Sequence, residues 1–329
     1  MSRIVDLEGG RVMVVTDVHG DYPAYGRYRD RFLKLRAEGR ADILLLCGDL
    51  IHSDGPLQTD GSLEIVLDVL RLRRELGESL IVLLGNHELP HLNGITIRRG
   101  SLTYGPAFER ALGDYHPEVI AFFDSLPFYV RTRAGVAIAH AGACRAATTP
   151  AGLDNLANYS HAAELDKVEA FLSNYHDRAA LRATLEEAGA RSYGEIVAES
   201  LGITDPAHPR YDDALRGAYV AALSPDFQSL WAAIFNRNEY EYGRRDYKSI
   251  LVAFLATLSQ GYAQWGQRAL VSGHIPVNGG YTIVNGRQLR LASWAHAIPP
   301  GAGQYLLFDA ARPIEGVEDL LGGLHKCDE

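Results

Sequence analysis

The sequence predicts an α/β fold interrupted by a mainly helical insertion, and three observations point there. Short apolar runs rich in β-branched residues alternate with helical patterns in the first part of the chain. A stretch over residues 151–264 is dominated by Ala, Leu, Glu and Arg at helical spacing. Strand-and-turn character then returns from residue 265 to the end. The expected organisation is a core made of residues 1–150 and 265–329, with the helical segment inserted in the same domain.

The first strand is Arg11 to Thr16, closed by Asp17 and Gly20. Asp21 and Pro23 supply helix-start chemistry for a segment to about Arg36, and Gly39 stops it. A second strand, Asp42 to Cys47, ends at Gly48 and Asp49. Leu63, Val66, Leu67 and Leu70 give helical spacing over Leu63 to Leu76, and Leu80 to Leu84 is a third strand ending at Gly85 and Asn86. Strands that alternate with helices favour a parallel sheet, whose crossovers bring successive strand ends to one edge. Polar residues at those ends should therefore meet in one crevice, where open α/β sheets bind ligands.

Phe128 to Arg131 and Gly135 to Ala139 are two further strands, the second ending at His140. Within the insertion, helical spacing is found in Lys167 to Leu172, Ala179 to Ala188, Tyr211 to Leu223 and Ser249 to Tyr262, with breaks at Pro206, Pro209 and Pro225. After it, Ala269 to Ser272, Tyr281 to Val284, Arg287 to Ala292 and Gln304 to Phe308 are strands joined by glycine-rich turns.

Composition narrows the function. Apolar residues near half and charged residues near a fifth describe an ordered globular protein. A net charge of -9 argues against broad nucleic-acid binding, which needs basic surface. No apolar stretch is long enough to span a membrane, and Asp6 and Glu8 stand where a signal peptide needs apolar residues. Three widely spaced cysteines, Cys47, Cys144 and Cys327, form neither a disulfide framework nor a Cys-rich zinc site. A cytoplasmic protein is expected, with neither stable nucleic-acid binding nor membrane attachment.

Five short motifs stand at the strand ends: Asp17-Val-His19-Gly20, Gly48-Asp49, Gly85-Asn86-His87-Glu88, His140-Ala-Gly142 and Gly273-His274. Each sets an oxygen or imidazole donor beside a glycine. Such mixed O/N donors suit manganese, iron or zinc better than calcium or a thiolate-loving metal. In order, spacing and strand context they resemble the phosphoprotein phosphatase branch of the calcineurin-like metallophosphoesterases, whose signatures run GDxHG, GDxxDRG, GNHE, HGG and GH. Thr16 replaces the first glycine and Ala141 a glycine of HGG. The match spans roughly residues 11–145 and 268–309 and leaves the helical segment uncovered.

The resemblance implies a β-sandwich of mixed sheets flanked by helices. It implies that Asp17 and His19 bind a first divalent metal ion, that Asp49 bridges two, and that Asn86, His140 and His274 complete the second. Manganese is the expected pair, with iron or zinc as alternatives. Two divalent cations outweigh two aspartates, so the pocket would be positive in an acidic protein and attract a phosphate dianion. The activity implied is phosphate monoester hydrolysis of the serine/threonine protein phosphatase type, on a phosphorylated protein or small phosphoester, by a hydroxide held between the metals, with His87 as general acid. Symmetrical dinucleoside tetraphosphate or other nucleotide phosphoester hydrolysis is a second expectation. A weakly catalytic phosphate-binding regulatory module is a third.

One motif departs from the family. Where GDxxDRG has its second aspartate and arginine, this chain has His52 and Ser53. Asp54 is the remaining carboxylate that could orient His87, in the way a carboxylate fixes a histidine tautomer. Arg98, beside Arg99, and Arg237, which follows Leu230-Trp231, are the candidates for gripping phosphate. Trp294 and His296 lie where the family has a loop overhanging the site, so either could touch substrate.

Overall fold

The computed structural model describes the chain except residues 1, 54, 56–58, 97, 100–101, 175–176, 261–264 and 328–329, and for residues 98, 99 and 102 the backbone alone. It forms two compact units. The first comprises Met1–Asn86, Leu126–Tyr159 and Ser229–Glu329, the second His87–Ser125 and Ser160–Gln228. Of the helical segment, residues 160–228 belong to the second unit and residues 151–159 and 229–264 to the first.

The first unit is built on eleven strands of three residues or more among those described: β1 (Ile4–Leu7), β2 (Arg11–Val15), β3 (Ile43–Leu46), β4 (Leu80–Val82), β5 (Tyr129–Thr132), β6 (Val136–Ala139), β7 (Ala269–Ser272), β8 (Tyr281–Val284), β9 (Gln288–Leu291), β10 (Gln304–Asp309) and β11 (Leu324–Lys326). They make two mixed sheets, in the order β11-β10-β2-β3-β4 and β1-β5-β6-β7-β9-β8. A two-residue pairing of Val277–Asn278 with Ala297–Ile298 lies beside them.

Alternation along the strands explains the layering. Val12, Val14, Leu45, Cys47, Ile81 and Leu83 join Val136, Ile138, Ala269, Val271, Leu289 and Leu291 in one buried cluster. These are every second residue of each strand, as two inner faces of a sandwich require. Met13, Val15, Leu44 and Leu46, on the opposite face of β2 and β3, are buried as well. Burial on both faces is why these strands appear in the sequence as unbroken apolar runs.

Helices flank the sheets. The one at Tyr22–Ala37 starts from Asp21, whose carboxylate accepts from the Ala24 amide, with Pro23 in its first turn. It buries Tyr25, Tyr28, Phe32 and Leu35, one stripe at helical spacing. Burying Phe32 and Leu35 each contributes about 1.5–3 kcal/mol. Ser62–Leu76 likewise buries Ile65, Val66, Val69, Leu70 and Leu72 and stops at Gly77, whose positive φ favours glycine.

The second unit is mainly helical. Its longer helices are His161–Ser173, Arg178–Gly189, Tyr193–Leu201 and Asp213–Leu223, and the third carries a capping box between Ser192 and Glu195. Three short helices, Leu89–Asn93, Gly105–Leu112 and His116–Asp124, were not expected from periodicity; each carries a proline in its first turn. No described helix in either unit is long and apolar enough to cross a membrane.

Register places the functional residues. β2, β3 and β4 run parallel, with Val15 beside Leu46 and Leu46 beside Val82. In the other sheet β6, β7 and β9 are parallel, with Ala139 beside Ser272. Asp17, Asp49 and Asn86 therefore leave one row of carboxyl ends, and His140, His274 and His296 leave another.

Candidate metal centre

The loops that carry these donors are forced into unusual backbone. Asp17, His19, Asp49 and His274 all have positive φ, between 34° and 69°, as does His52 at 71°. Side-chain-bearing residues rarely adopt this region, and such strain concentrates at functional sites. The loops hold one another there: the Val18 and His19 amides donate to the Asp49 carbonyl at 3.2 and 3.0 Å, and the Gly273 amide donates to the His140 carbonyl at 3.0 Å. Two glycines permit the crowding. A Cβ on Gly48 would lie 2.6 Å from the Gly85 backbone, and one on Gly273 would strike the Asp17 carboxylate.

All six residues expected from the strand ends come together. Asp17, Asp49 and His140 are each about 1% exposed, Asn86 6% and His19 9%. Asp49 Oδ2 is 3.6 Å from His19 Nε2 and 3.5 Å from His140 Nε2, so a single carboxylate oxygen faces two imidazoles. His140 Nε2 is also 2.8 Å from Asn86 Oδ1, and the His140 and His274 rings are 5.0 Å apart. The His274 amide donates to both oxygens of Asp17, at 3.0 and 3.1 Å. The donor atoms of Asp17, His19 and His296 lie within 4.8 Å of one another, and so do those of Asp49, His140 and His274.

The donor chemistry fits cations. His140 Nδ1 is 2.7 Å from the Cys47 carbonyl, so Nδ1–H donates and Nε2 presents a lone pair. Its neighbours there, Asn86 Oδ1 and Asp49 Oδ2, present lone pairs too. Acceptors converging on acceptors repel unless a positive charge sits among them. His274 Nδ1 is buried without a hydrogen-bond partner, another lone pair aimed into the site. Burial keeps both imidazoles neutral, lowering His140 and pushing His274 down to about 3. Burial alone would raise Asp17, but the neighbouring His296, His140 and His19 outweigh it and hold the carboxyl below its ordinary range.

Other expected residues lie as follows. His87 opens the second unit, its ring 5.0 Å from Tyr104, whereas Asn86 closes a segment of the first. Arg237 is exposed, its amide donating to Glu241 at 3.0 Å; beside it Asn236 Nδ2 donates to the Gly142 carbonyl at 3.0 Å. Asp54 and the side chain of Arg98 lie outside the described residues. A groove of about 420 Å3 is lined by His19, Asp21, Ser53, Thr59 and Trp294, so the residue that replaces the family's arginine borders it. Cys144 is buried, and burial pushes its thiol up to about 11, which makes it packing rather than a nucleophile.

His296 was expected only to overhang the site. Its Nδ1 lies 3.2 Å from Asp17 Oδ1 and its ring 4.9 Å from that of His19. The signal was present in the sequence, because Ser293 to His296 follows a strand just as the other motifs do.

Comparison with known proteins places the chain. The family model of the calcineurin-like phosphoesterases matches residues 10–196, more than half of the chain. No curated protein matches it. Among solved structures it is similar to a protein serine/threonine phosphatase from Saccharomyces cerevisiae, at 15% identity and a TM-score of 0.47, over 93% of this chain and 76% of that one. It is similar to a cold-active protein tyrosine phosphatase of a psychrophilic Shewanella, at 15% identity and a TM-score of 0.41, over 96% and 82%. A putative diadenosine tetraphosphatase shares 27% identity over 44% of this chain and 56% of its own length, at a TM-score of 0.27. The sequence match therefore carries the assignment: the chain belongs to the calcineurin-like phosphoesterases, a family of two-metal enzymes, and is a hydrolase acting on phosphoester bonds.

Proposed function

We propose that this protein is a phosphomonoesterase of the serine/threonine protein phosphatase type. Asp17 and His19 hold one divalent ion, Asn86, His140 and His274 a second, and Asp49 bridges them. The observation that carries this reading is the Asp49 oxygen facing both His19 and His140. With two carboxylates, an amide oxygen, imidazoles and no thiolate, the donor set suits manganese, with iron or zinc as alternatives. Two such ions supply Lewis acidity and a water of lowered pKa.

The chain's own residues do the rest. Backbone amides and the Cys47 carbonyl fix the donors, so little reorganisation is needed on binding. His87, next in the chain to Asn86, protonates the leaving alkoxide, a role its motif position supports, and Asp54, the remaining carboxylate of the altered loop, orients it. Arg237 and Arg98 grip the phosphate through planar, charge-assisted hydrogen bonds. Arg237 is supported by the adjoining Asn236, which anchors its segment to Gly142. Three cysteines without a disulfide suit a cytoplasmic enzyme.

Turnover of an aryl phosphate with manganese, compared between the natural chain and His87→Asn, tests the reading. Loss of turnover with both ions retained supports His87 as the acid; full turnover removes it. Phosphopeptide against diadenosine tetraphosphate at equal metal separates substrate classes, and a large preference for the nucleotide would replace the protein phosphatase reading. No turnover with any divalent ion would leave a phosphate-binding module.

A further inference from the structure

We infer that His296 is a ligand of the first metal ion, so that Asp17, His19, Asp49 and His296 hold one ion while Asp49, Asn86, His140 and His274 hold the other. This rests on the two-ion reading above and completes it. The strand-end motifs alone leave the first ion with three protein donors and the second with four. Adding His296 makes the two sets equal, with the shared carboxylate between them.

Three observations carry the assignment. His296 Nδ1 is buried and has no hydrogen-bond partner, although Asp17 Oδ1 lies only 3.2 Å away. That separation is roughly the spacing of two ligands on one ion. Second, the donor atoms of Asp17, His19 and His296 lie within 4.8 Å of one another. Donors held at about 2.0–2.2 Å from one ion are separated by roughly 3–4 Å, so a small contraction closes the set.

Third, the loop carrying His296 is tied down from several sides. The Thr16 amide donates to Ser293 Oγ at 2.9 Å, the Ser293 amide donates to Thr16 Oγ1 at 3.1 Å, and Thr16 Oγ1 donates to the Leu291 carbonyl at 3.1 Å. Trp294 Nε1 donates to Asp21 at 2.6 Å under the Arg27 guanidinium, the Ala295 amide donates to the Asp17 carbonyl at 3.2 Å, and the Val277 amide donates to the His296 carbonyl at 2.8 Å. Thr16 stands where the resembling family has a glycine, and no glycine could make these side-chain bonds. The departure in the first motif and the histidine on a loop 280 residues later are thus parts of one device. Thr16 is its positioning residue.

Titration of manganese into the metal-free chain, followed by calorimetry and by metal content after gel filtration, tests this. The natural chain should bind two ions. His296→Ala and the ring-preserving His296→Phe should each keep one site unchanged and weaken the other at least 10-fold, the scale known for disturbing residues around a metal. Thr16→Val, which leaves every donor in place, should weaken that same site by a smaller factor. His274→Ala should weaken the opposite site. Two ions bound with unchanged affinities by both His296 variants would overturn the ligand assignment while leaving the two-ion reading intact. A natural chain that binds fewer than two ions would overturn both.

Discussion

Each unit buries a cluster of histidines around a carboxylate, and the two clusters are finished in opposite ways. In the second unit Glu109 is surrounded by protein partners: His91 Nδ1 at 2.7 Å, Arg210 Nη1 at 3.1 Å and His116 Nε2 at 3.5 Å. Arg210 is held in turn by Asp213, so the charges close among themselves. In the first unit Asp49 meets imidazole nitrogens at 3.5 and 3.6 Å, His140 turns its Nε2 lone pair toward it, and the backbone beneath is left-handed at four of the six expected donors. A buried carboxylate paired with a cation of its own is structural; one set among converging ligand-type side chains fits an outside cation. The same residue types thus do different work according to what satisfies them.

Substitutions should separate the two clusters. Asp49→Asn should lower aryl phosphate turnover more than about 100-fold and reduce bound manganese, because it weakens both ions at once and exceeds the loss known for residues around the ligands. Global stability of the metal-free chain should change little. A variant that keeps turnover would make Asp49 no more of a cation site than Glu109.

Glu109→Gln should do the reverse. Breaking a buried pair costs about 3–5 kcal/mol, and the lower end is expected because Arg210 is partly exposed. Chemical denaturation reads this loss, while manganese content should stay at the natural level. Loss of metal without loss of stability would erase the contrast.

Acid sharpens it further. Burial would raise Glu109, but hydrogen bonds from His116 and His91 and the charges of His91 and Arg210 hold its pKa below the ordinary value of 4.5. A depressed carboxylate contributes stability that is complete above its unfolded pKa and fades as pH falls toward the folded one. The stability gap between the natural chain and Glu109→Gln should therefore be constant from pH 7 to about 5 and shrink below 4.5. A gap that widens in acid would contradict the assigned sign. The smallest effect is expected at the surface of the first unit, where Arg237→Ala should raise KM for a phosphopeptide about 10-fold, the loss of one charge-assisted hydrogen bond, with stability and metal unchanged.

Much of this was legible in the sequence because parallel strands buried on both faces are continuous apolar runs, and each run here stops at a polar residue. Nine strands could be read from such runs or from shorter β-branched stretches between glycine-rich turns. β1 escaped because its residues are only half-buried and Asp6 interrupts them, and β11 because it is a short, half-exposed edge. The three proline-led helices of the second unit are too short for periodicity to declare. The six strand-end donors were visible as a pattern. The Thr16–Ser293 tether was not, since it joins residues 277 apart through hydrogen bonds that leave no local trace. The left-handed backbone at Asp17, His19 and Asp49 was equally hidden, because nothing in those residue types demands it.

The central claim is that six donors from five strand ends hold two cations with Asp49 between them. A crystal grown with manganese and measured at a wavelength where manganese scatters anomalously tests it directly. Two peaks about 4 Å apart are expected, one beside Asp17 and His19, the other beside His140 and His274, with Asp49 touching both. A single peak, or two that do not share Asp49, would contradict the account.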